Sequence, residues 1–368
     1  MKIIFLFILV LHALIHLAGF LKGFRLAEMK NLNLPVSKGR ALAWLLATLV
    51  LLSAAFMLVL GRQDWWIIAL VGVLLSQVLI TLAWKDARYG TFVNLLLLVP
   101  LLIFFLGSLP SGFRNKFRAE VEPRLSKSVN MTTLTEQDIS ALPLPVNRYL
   151  HYTGAVGRPK VRNFFVFFKG RMRSKMDGKW MEVSARQVSF FDDTARFFYI
   201  RMKMFGIPVE GLHSYSGSAA IMKIRAASLY NIADAGGEKM NRSETVTMLN
   251  DMCLLAPSTL ISPNIRWETI DSLTVRASFI NKGNRVSAIL TFNQAGALVN
   301  FSSEDRFESA DGKHYESYPW STPVLSYGDF NGIRLPSSAD AIWQTPKGPF
   351  VYAHFDITGI RYNISKRK

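Results

Sequence analysis

The sequence contains a single cysteine and lacks the short motifs that identify common catalytic chemistry. With only Cys253, no internal disulfide can form, so a folded domain must be held together by packing, and we expect this thiol to be a buried apolar group. The chain has no GxSxG, HExxH, CxxC or Walker sequence, and no GxGxxG follows a predicted strand. These absences argue against the common hydrolase, metalloprotease and nucleotide-binding classes.

A nucleic-acid-binding pattern is also missing, although the net charge is +17. The basic residues are scattered, and no basic motif is interleaved with aromatic residues. Such an excess of positive charge suits contact with anionic lipid head groups. We therefore expect membrane lipids rather than nucleic acid as partners, and the sequence leaves the oligomeric state open.

Charged residues are absent from four long apolar runs in the first third of the chain. The runs are Ile3–Leu21, Ala41–Leu60, Trp65–Trp84 and Thr91–Ser108. A helix rises about 1.5 Å per residue and the hydrocarbon core of a bilayer is roughly 30 Å thick, so about 20 apolar residues span it. We predict a four-helix transmembrane domain over 1–110, a linker over 111–134 and an extracytoplasmic β-rich domain over 135–368.

The distribution of basic residues in the loops predicts the orientation of these helices. The loop Lys22–Arg40 has five basic residues against Glu28, and the loop Lys85–Gly90 has two against Asp86. Short loops rich in Lys and Arg stay in the cytoplasm. Both termini are therefore predicted to be extracytoplasmic.

Polar side chains inside the apolar runs form a first candidate site, which consists of His12, His16, Gln77 and Asn94. Polar residues within a membrane are costly, so each calls for a functional hypothesis. One interpretation is that the four bond to one another across a tight bundle. The other is that the two histidines handle a metal, a haem or protons. Histidines four apart on a helix can share one zinc ion, but no intramembrane carboxylate or thiol completes such a site, and we predict no cofactor.

From residue 161 the apolar pattern changes to a period of two. Val161–Arg173 and Lys179–Phe190 flank Asp177-Gly178, which is typical of a hairpin turn. Further segments with an apolar period of two, which predict strands, continue to residue 360. A helix is predicted between them, over Ser243–Leu255. Roughly ten strands without βαβ alternation indicate an α+β domain with a mainly antiparallel curved sheet or open β-barrel.

A second candidate polar site lies on one predicted strand of this domain. It consists of Glu210, His213 and Tyr215. Successive strand residues point to opposite faces, so His213 and Tyr215 share a face with Gly211. The group could serve catalysis, or it could be a polar lining of the sheet, and no catalytic residue is assigned.

Several short segments of the chain resemble the sequences of an uncharacterised bacterial family of multi-pass membrane proteins. That family has only a domain-of-unknown-function label. In the membrane half they are His12-Ala-Leu-Ile-His16, Trp84-Lys-Asp86 and Gly90-Thr-Phe-Val-Asn94, and in the outer half Leu142-Pro-Leu-Pro145, Gly157-Arg-Pro159 and Pro319-Trp320. The resemblance implies a bacterial membrane protein, which we expect in the plasma (inner) membrane, and it brings no activity with it. In strand order and composition, the outer domain also resembles periplasmic lipoprotein carriers, whose curved sheet holds acyl chains.

Aromatic residues on both faces of the first strands suggest a ligand. The runs Phe164–Phe168, Phe190–Phe191 and Phe197–Tyr199 do not alternate with polar residues, as a sheet with one wet face would require. Our main hypothesis is a non-catalytic membrane protein whose outer domain binds an apolar or amphiphilic ligand, such as a lipid or a lipid-modified protein. The alternatives are an enzyme with a site near His213 and Tyr215, and an intramembrane metal, haem or proton-handling protein that uses His12 and His16. A second layer of protein over the aromatic face would also explain the pattern.

Overall fold

A computed structural model describes residues 2–29, 32–125, 131–309 and 311–365. The chain divides into two compact units, Met1–Gly112 and Phe113–Lys368. Lys30 of the basic loop and residues 126–130 of the predicted linker lie outside the described residues.

The first unit is helical. Its elements are α1 (Lys2–Gly23), α2 (Lys38–Val59), α3 (Trp65–Leu82), α4 (Trp84–Ala87) and α5 (Gly90–Ser108). The four long helices coincide with the four predicted apolar runs, and the unit provides four helices long and apolar enough to cross a bilayer. The predicted set of four apolar helices is confirmed.

Small residues let these helices approach one another closely. A Cβ atom on Gly19 would lie 2.5 Å from the Trp44 ring, and one on Gly72 would lie 2.6 Å from the Leu51 side chain. Any larger residue at either position would push its neighbour away. The bundle therefore uses glycine for close helix contact, as membrane helices commonly do.

The second unit contains four helices and sixteen strands among its described residues. The helices are α6 (Phe113–Leu125), α7 (Glu136–Ile139), α8 (Leu144–Thr153) and α9 (Glu238–Leu255), with a 3₁₀ turn at Pro257–Ile261. The strands are β1 (Asn163–Met172), β2 (Met181–Phe190), β3 (Ala195–Met204), β4 (Ile207–Ser216), β5 (Ala219–Ala226), β6 (Tyr230–Ala235), β7 (Ile265–Thr269), β8 (Thr274–Asn281), β9 (Asn284–Phe292), β10 (Leu298–Ser303), β11 (Phe307–Glu308), β12 (Glu316–Ser317), β13 (Trp320–Ser321), β14 (Val324–Phe330), β15 (Ile333–Thr345) and β16 (Gly348–Tyr362).

Fourteen of these strands form one antiparallel sheet. Its order is β6-β5-β4-β3-β2-β1-β16-β15-β13-β10-β9-β8-β7, and β14 pairs with β15. The sheet is curved, as contacts between its two ends show. Asn281 lies on β8, near one end of the strand order, and its Nδ2 donates hydrogen bonds to the Tyr215 hydroxyl on β4 (2.6 Å) and to the Gly217 carbonyl (2.8 Å), near the other end. Four apolar helices followed by an open, curved antiparallel sheet confirm the predicted fold class.

Helix α9 runs through the interior of the curved sheet. It begins at Glu238, five residues before the predicted start, directly after Gly237 at φ +84°. Every residue from Ser243 to Leu255 is buried, including Cys253, which is fully buried as expected. The helix therefore fills much of the concave side of the sheet, and its polar side chains need partners there.

Helix α6 covers the other side of the first strands, and it falls within the predicted linker. Its buried residues are Phe113, Phe117, Val121 and Leu125, which recur every four positions and so form one apolar stripe. The stripe packs against aromatic residues that include Phe165, Phe190 and Phe197. The charged residues between the apolar positions concealed this stripe in the sequence. Protein on both sides thus accounts for most of the aromatic residues that suggested a ligand.

Candidate functional site

The four polar residues predicted in the membrane helices meet in one buried cluster. Nε2 of His12 lies 2.8 Å from Oδ1 of Asn94, and Nε2 of His16 lies 2.8 Å from the Ser76 hydroxyl. Asn94 donates from Nδ2 to Oε1 of Gln77 at 3.0 Å. Three helices, α1, α3 and α5, are joined in this way. Ser76 was not among the predicted residues, and its hydroxyl lies at the centre of the cluster.

With both imidazoles neutral, one assignment of protons satisfies these contacts. Nδ1 of His16 faces the His12 carbonyl at 2.8 Å, so it donates, and Nε2 of His16 accepts from Ser76. Nε2 of His12 then donates to Asn94, whose amide donates to Gln77. Gln77 in turn donates to the Thr91 hydroxyl at 3.2 Å. A continuous chain of hydrogen bonds results, which suits a group of polar residues that must be satisfied without water.

A cavity of about 310 Å³ lies beside the two histidines. Its walls are mainly apolar, with Trp44, Leu79 and Ile80 among them, and Arg40 and Asp86 also line it. The Asp86 carboxylate accepts a hydrogen bond from the Leu34 amide at 2.7 Å. Among the described residues, no group of three or more His, Cys, Asp or Glu side chains could hold a metal ion. The arrangement is that of a packed polar cluster next to an apolar cavity.

Replacing both His12 and His16 with glutamine should leave the helical unit folded, at a cost of about 1 kcal/mol per lost bond. Replacing both with leucine should cost more, because Ser76 and Asn94 would be left buried without these partners. The measurement is thermal unfolding of the full-length protein in mild detergent, followed by tryptophan fluorescence, since the Trp44 ring lies 5.0 Å from that of His16. If the glutamine variant accumulates normally but loses a cellular phenotype or a bound metal, the structural role of the cluster is wrong.

The three polar residues predicted on the β domain do not form one site. His213 faces α9, where its Nδ1 lies 3.1 Å from Oε1 of Glu244. Tyr215 faces the same way and its hydroxyl lies 2.8 Å from that of Thr245. Glu210 points to the opposite face, where the Tyr199 hydroxyl donates to it. The alternation expected for a strand therefore separates Glu210 from the other two.

A buried ionic cluster on α9 and the neighbouring strands was not predicted. Arg196 on β3 donates from Nη1 to Glu244 at 2.9 Å and from Nε to Asp251 at 2.8 Å. Gln187 on β2 accepts from Arg196 Nη2 at 3.0 Å and donates to Asp251 at 2.6 Å. Arg196, Glu244 and Asp251 are at most 6% exposed. Because these residues are far apart in sequence, no local motif could have revealed the cluster.

The two carboxylates of this cluster respond differently to their surroundings. Burial opposes ionisation of Glu244, but Arg196 and His213 outweigh it and lower its pKa to about 2. Burial raises the pKa of Asp251, and its contacts with Arg196 and Gln187 offset only part of that rise. The surroundings thus favour the ionised form of Glu244 and oppose that of Asp251.

Beyond the ionic cluster, the concave face carries a row of apolar residues that α9 does not fully cover. We call it the apolar strip, and its members are Phe168, Met172, Val183, Ala185, Phe198, Ile200, Met202 and Phe355. Along β1, Phe164 and Val166 are 0% exposed in the core that includes α9, whereas Phe168 is only partly buried. The rings of Phe168 and Phe355 are 5.7 Å apart. The strip is therefore a continuous apolar cluster at one end of the concave face: Val183, Ala185 and Ile200 are buried, and the other five side chains keep part of their surface exposed.

Polar groups adjoin the strip at one point. The His213 ring lies 5.7 Å from the ring of Phe198, which is part of the strip. Glu244, the hydrogen-bond partner of His213, also interacts electrostatically with Arg306. Arg306 lies over Trp320, with 4.4 Å from Cζ to the ring centre, and its buried Nε has no hydrogen-bond partner among the described residues. The His213 imidazole thus stands at one edge of the apolar strip, and the half-buried Arg306 interacts with its partner Glu244.

A model described as a family of unknown function (DUF6544) matches residues 132–355, which is more than half of the chain. No curated protein matches the chain significantly.

Solved structures similar to the chain include three bacterial proteins. A DUF1329 family protein from Desulfovibrio piger is 9% identical, covers 63% of this chain and 95% of its own, and has a TM-score of 0.35. A LolA superfamily protein from Nitrosomonas europaea is 9% identical, with 61% and 95% covered and a TM-score of 0.34. A putative outer membrane lipoprotein-sorting protein domain from Vibrio parahaemolyticus is 8% identical, with 54% and 85% covered and a TM-score of 0.32. Similarities this low carry no information about the ligand of this protein.

Proposed function

The chain belongs to a family of unknown function, DUF6544, and we propose that it is a membrane-anchored protein whose β domain binds an amphiphilic molecule. Four apolar helices provide the anchor. The basic loops between α1 and α2 and between α3 and α5 favour the cytoplasmic side for those loops. On this account the protein lies in a bacterial inner membrane with its termini and its β domain outside the cytoplasm.

The observation that carries the proposal is the apolar strip on the concave face. Strand residues that face the interior of a folded domain are normally covered, and Phe164 and Val166 are covered in this way. The apolar strip lies on the same face of the sheet, beyond the residues that α9 covers. In it, Phe168, Phe198 and Phe355 keep part of their surface exposed. Burying an apolar chain against these residues would gain about 25 cal/mol per Å² of apolar surface. The strip is therefore suited to an acyl chain.

The polar groups beside the strip favour an amphiphile over a pure hydrocarbon. Arg306 is flanked by the Trp320 and Trp343 rings, and its unpaired Nε offers a donor to an anionic or carbonyl oxygen. His213 stands between the strip and Glu244. The head group of a bound molecule would lie towards Arg306 and its chain along the strip.

The same geometry supports binding more than catalysis. The Tyr215 hydroxyl is engaged by Thr245 and Asn281, and His213 is engaged by Glu244. Glu210 faces away from both. These residues therefore act as interior hydrogen-bond partners rather than as groups that converge on a substrate.

Photo-crosslinking in cells tests the proposal with the full-length protein. Benzoylphenylalanine at position 198 places the reactive group on the apolar strip, and the same residue at position 167 provides a matched control. Phe167 is also a partly buried phenylalanine of the sheet, but it packs with the opposite, α6-covered face. We expect a lipid or lipid-modified protein to attach at position 198 and not at position 167. Equal labelling, or none at position 198 and at a second strip position, 202, would contradict the proposal.

A further inference from the structure

Two neighbouring hairpin turns of the β domain expose large apolar side chains. Phe205 in the β3–β4 turn is 94% exposed, and Leu229 and Tyr230 in the β5–β6 turn are each 72% exposed. Ile207 is 48% exposed. The turns adjoin, because the Ala227 amide donates to the Pro208 carbonyl at 2.8 Å. We call these four side chains the turn patch.

The backbone of the β3–β4 turn holds Phe205 outward in a strained conformation, which costs free energy. Its φ is +52°, a left-handed conformation that is unusual for a bulky residue and would suit glycine or asparagine better. Because Phe205 is strained and almost fully exposed, its side chain does not stabilise the fold of its own domain. Such features are more often associated with contact to another surface.

The start of α6, the first helix of the β domain, lies beside the turn patch. Helix α5 ends at Ser108 and α6 begins at Phe113, so the chain can extend at most about 18 Å between them. The Phe113 ring lies 4.5 Å from Cζ of Arg225, and the neighbouring residue Ala226 pairs with Tyr230 of the patch. At its other end, α6 contacts the far end of β4, where Arg124 donates to the Ser216 hydroxyl at 2.8 Å. The patch is thus at the end of the β domain at which α6 begins.

The charge around the patch suits lipid head groups. Residues 199–232 contain four basic side chains, Arg201, Lys203, Lys223 and Arg225, and one acidic one, Glu210. Lys223 pairs with Asp234 at 2.9 Å, and the Glu210 carboxylate is engaged by Tyr199. An aromatic and aliphatic patch with basic neighbours is the composition found where proteins enter the interface of a bilayer.

We infer that the turn patch inserts into the head-group region of the bilayer that holds the apolar helices. The β domain is then held against the membrane surface by Phe205, Ile207, Leu229 and Tyr230, in addition to its covalent tether. This inference is independent of the ligand on the apolar strip, because it concerns the outer ends of the turns.

A fluorescent label at Ser228→Cys, within the patch turn, tests the inference without removing any patch side chain. The matched control is Ser218→Cys, in the turn at the other end of β5, about 27 Å away along an eight-residue strand. Native Cys253 is fully buried and should not label in the folded protein. The full-length protein is placed in nanodiscs of phosphatidylcholine and phosphatidylglycerol that carry a quencher at the head-group level.

The label at position 228 should be quenched several-fold more than the label at position 218. Adding Phe205→Asp and Leu229→Asp should reduce quenching at position 228 to the level of the control. Water-like emission without quenching at position 228 would overturn the inference. A blue-shifted but unquenched label would mean that a second protein molecule covers the patch, and quenching unchanged by the Asp variants would mean that the tether alone brings it close. Either result would also overturn the inference.

Discussion

Replacing Arg196 with alanine should lower the free energy of unfolding of the β domain by about 3–5 kcal/mol, because it leaves two buried carboxylates without their cation. Glu244 and Asp251 both bond to this guanidinium, and both are at least 94% buried. For a domain of this size the loss corresponds to a fall of about 6–20 °C in the unfolding midpoint. Cys253 reports the transition, since its thiol is fully buried and becomes reactive only when the domain opens.

The control is Arg276→Ala, which removes the same side chain from an ion pair on the surface. Arg276 contacts Glu268 at 2.7 Å, but both side chains are about half exposed. Exposed pairs contribute about 0–1 kcal/mol, so Cys253 should become reactive at nearly the wild-type temperature. Similar midpoints for the two variants would show that the buried cluster does not support the fold.

The same cluster sets the direction of the pH dependence. The pKa of Glu244 falls from 4.5 to about 2 on folding, so its contribution to stability is complete above pH 4.5 and is lost as the pH falls towards 2. Asp251 acts in the opposite sense, because burial raises its pKa and its ionisation opposes folding. Without Arg196, the loss of stability that Glu244 causes on acidification should be smaller, which circular dichroism of the two proteins between pH 5 and 2 would show.

Replacing Phe117 with alanine should have a similarly large effect, about 3–5 kcal/mol, because it opens a cavity between α6 and the sheet. Phe117 is 1% exposed and packs with Phe165, Phe197 and Tyr199. The matched control is Phe205→Ala, since Phe205 is 94% exposed and contributes little to packing. Cys253 labelling again gives the midpoint. If the two alanine variants unfold at the same temperature, α6 is not an integral layer of the domain.

The parts of the fold that the sequence predicts well depend on local pattern. The four apolar helices could be predicted because they lack charge over a length that matches the bilayer. The β1–β2 hairpin was also predicted, and its strands pair in register from Asn163 with Phe190 to Met172 with Met181. In both cases the signal lies within a single stretch of chain.

The parts that could not be predicted depend on contacts between distant residues. Helix α6 places only every fourth residue inward, and its many charges made residues 111–134 look like a linker. Arg196 is 48 residues from Glu244 and 55 from Asp251, so their meeting depends on how α9 enters the curved sheet. The polar cluster of His12, His16, Gln77 and Asn94 was easier to anticipate, because a bilayer leaves such groups few partners other than one another.

The central claim is that the apolar strip holds an amphiphilic molecule. It is tested most directly by the mass of whatever crosslinks to benzoylphenylalanine at position 198 of the full-length protein in its membrane. The account predicts an adduct with the mass of a lipid, or of a lipid-modified protein attached through its acyl chain, which is absent from position 167. A strip position that crosslinks only to neighbouring residues of its own chain would contradict the account, since the strip would then be covered by the protein itself.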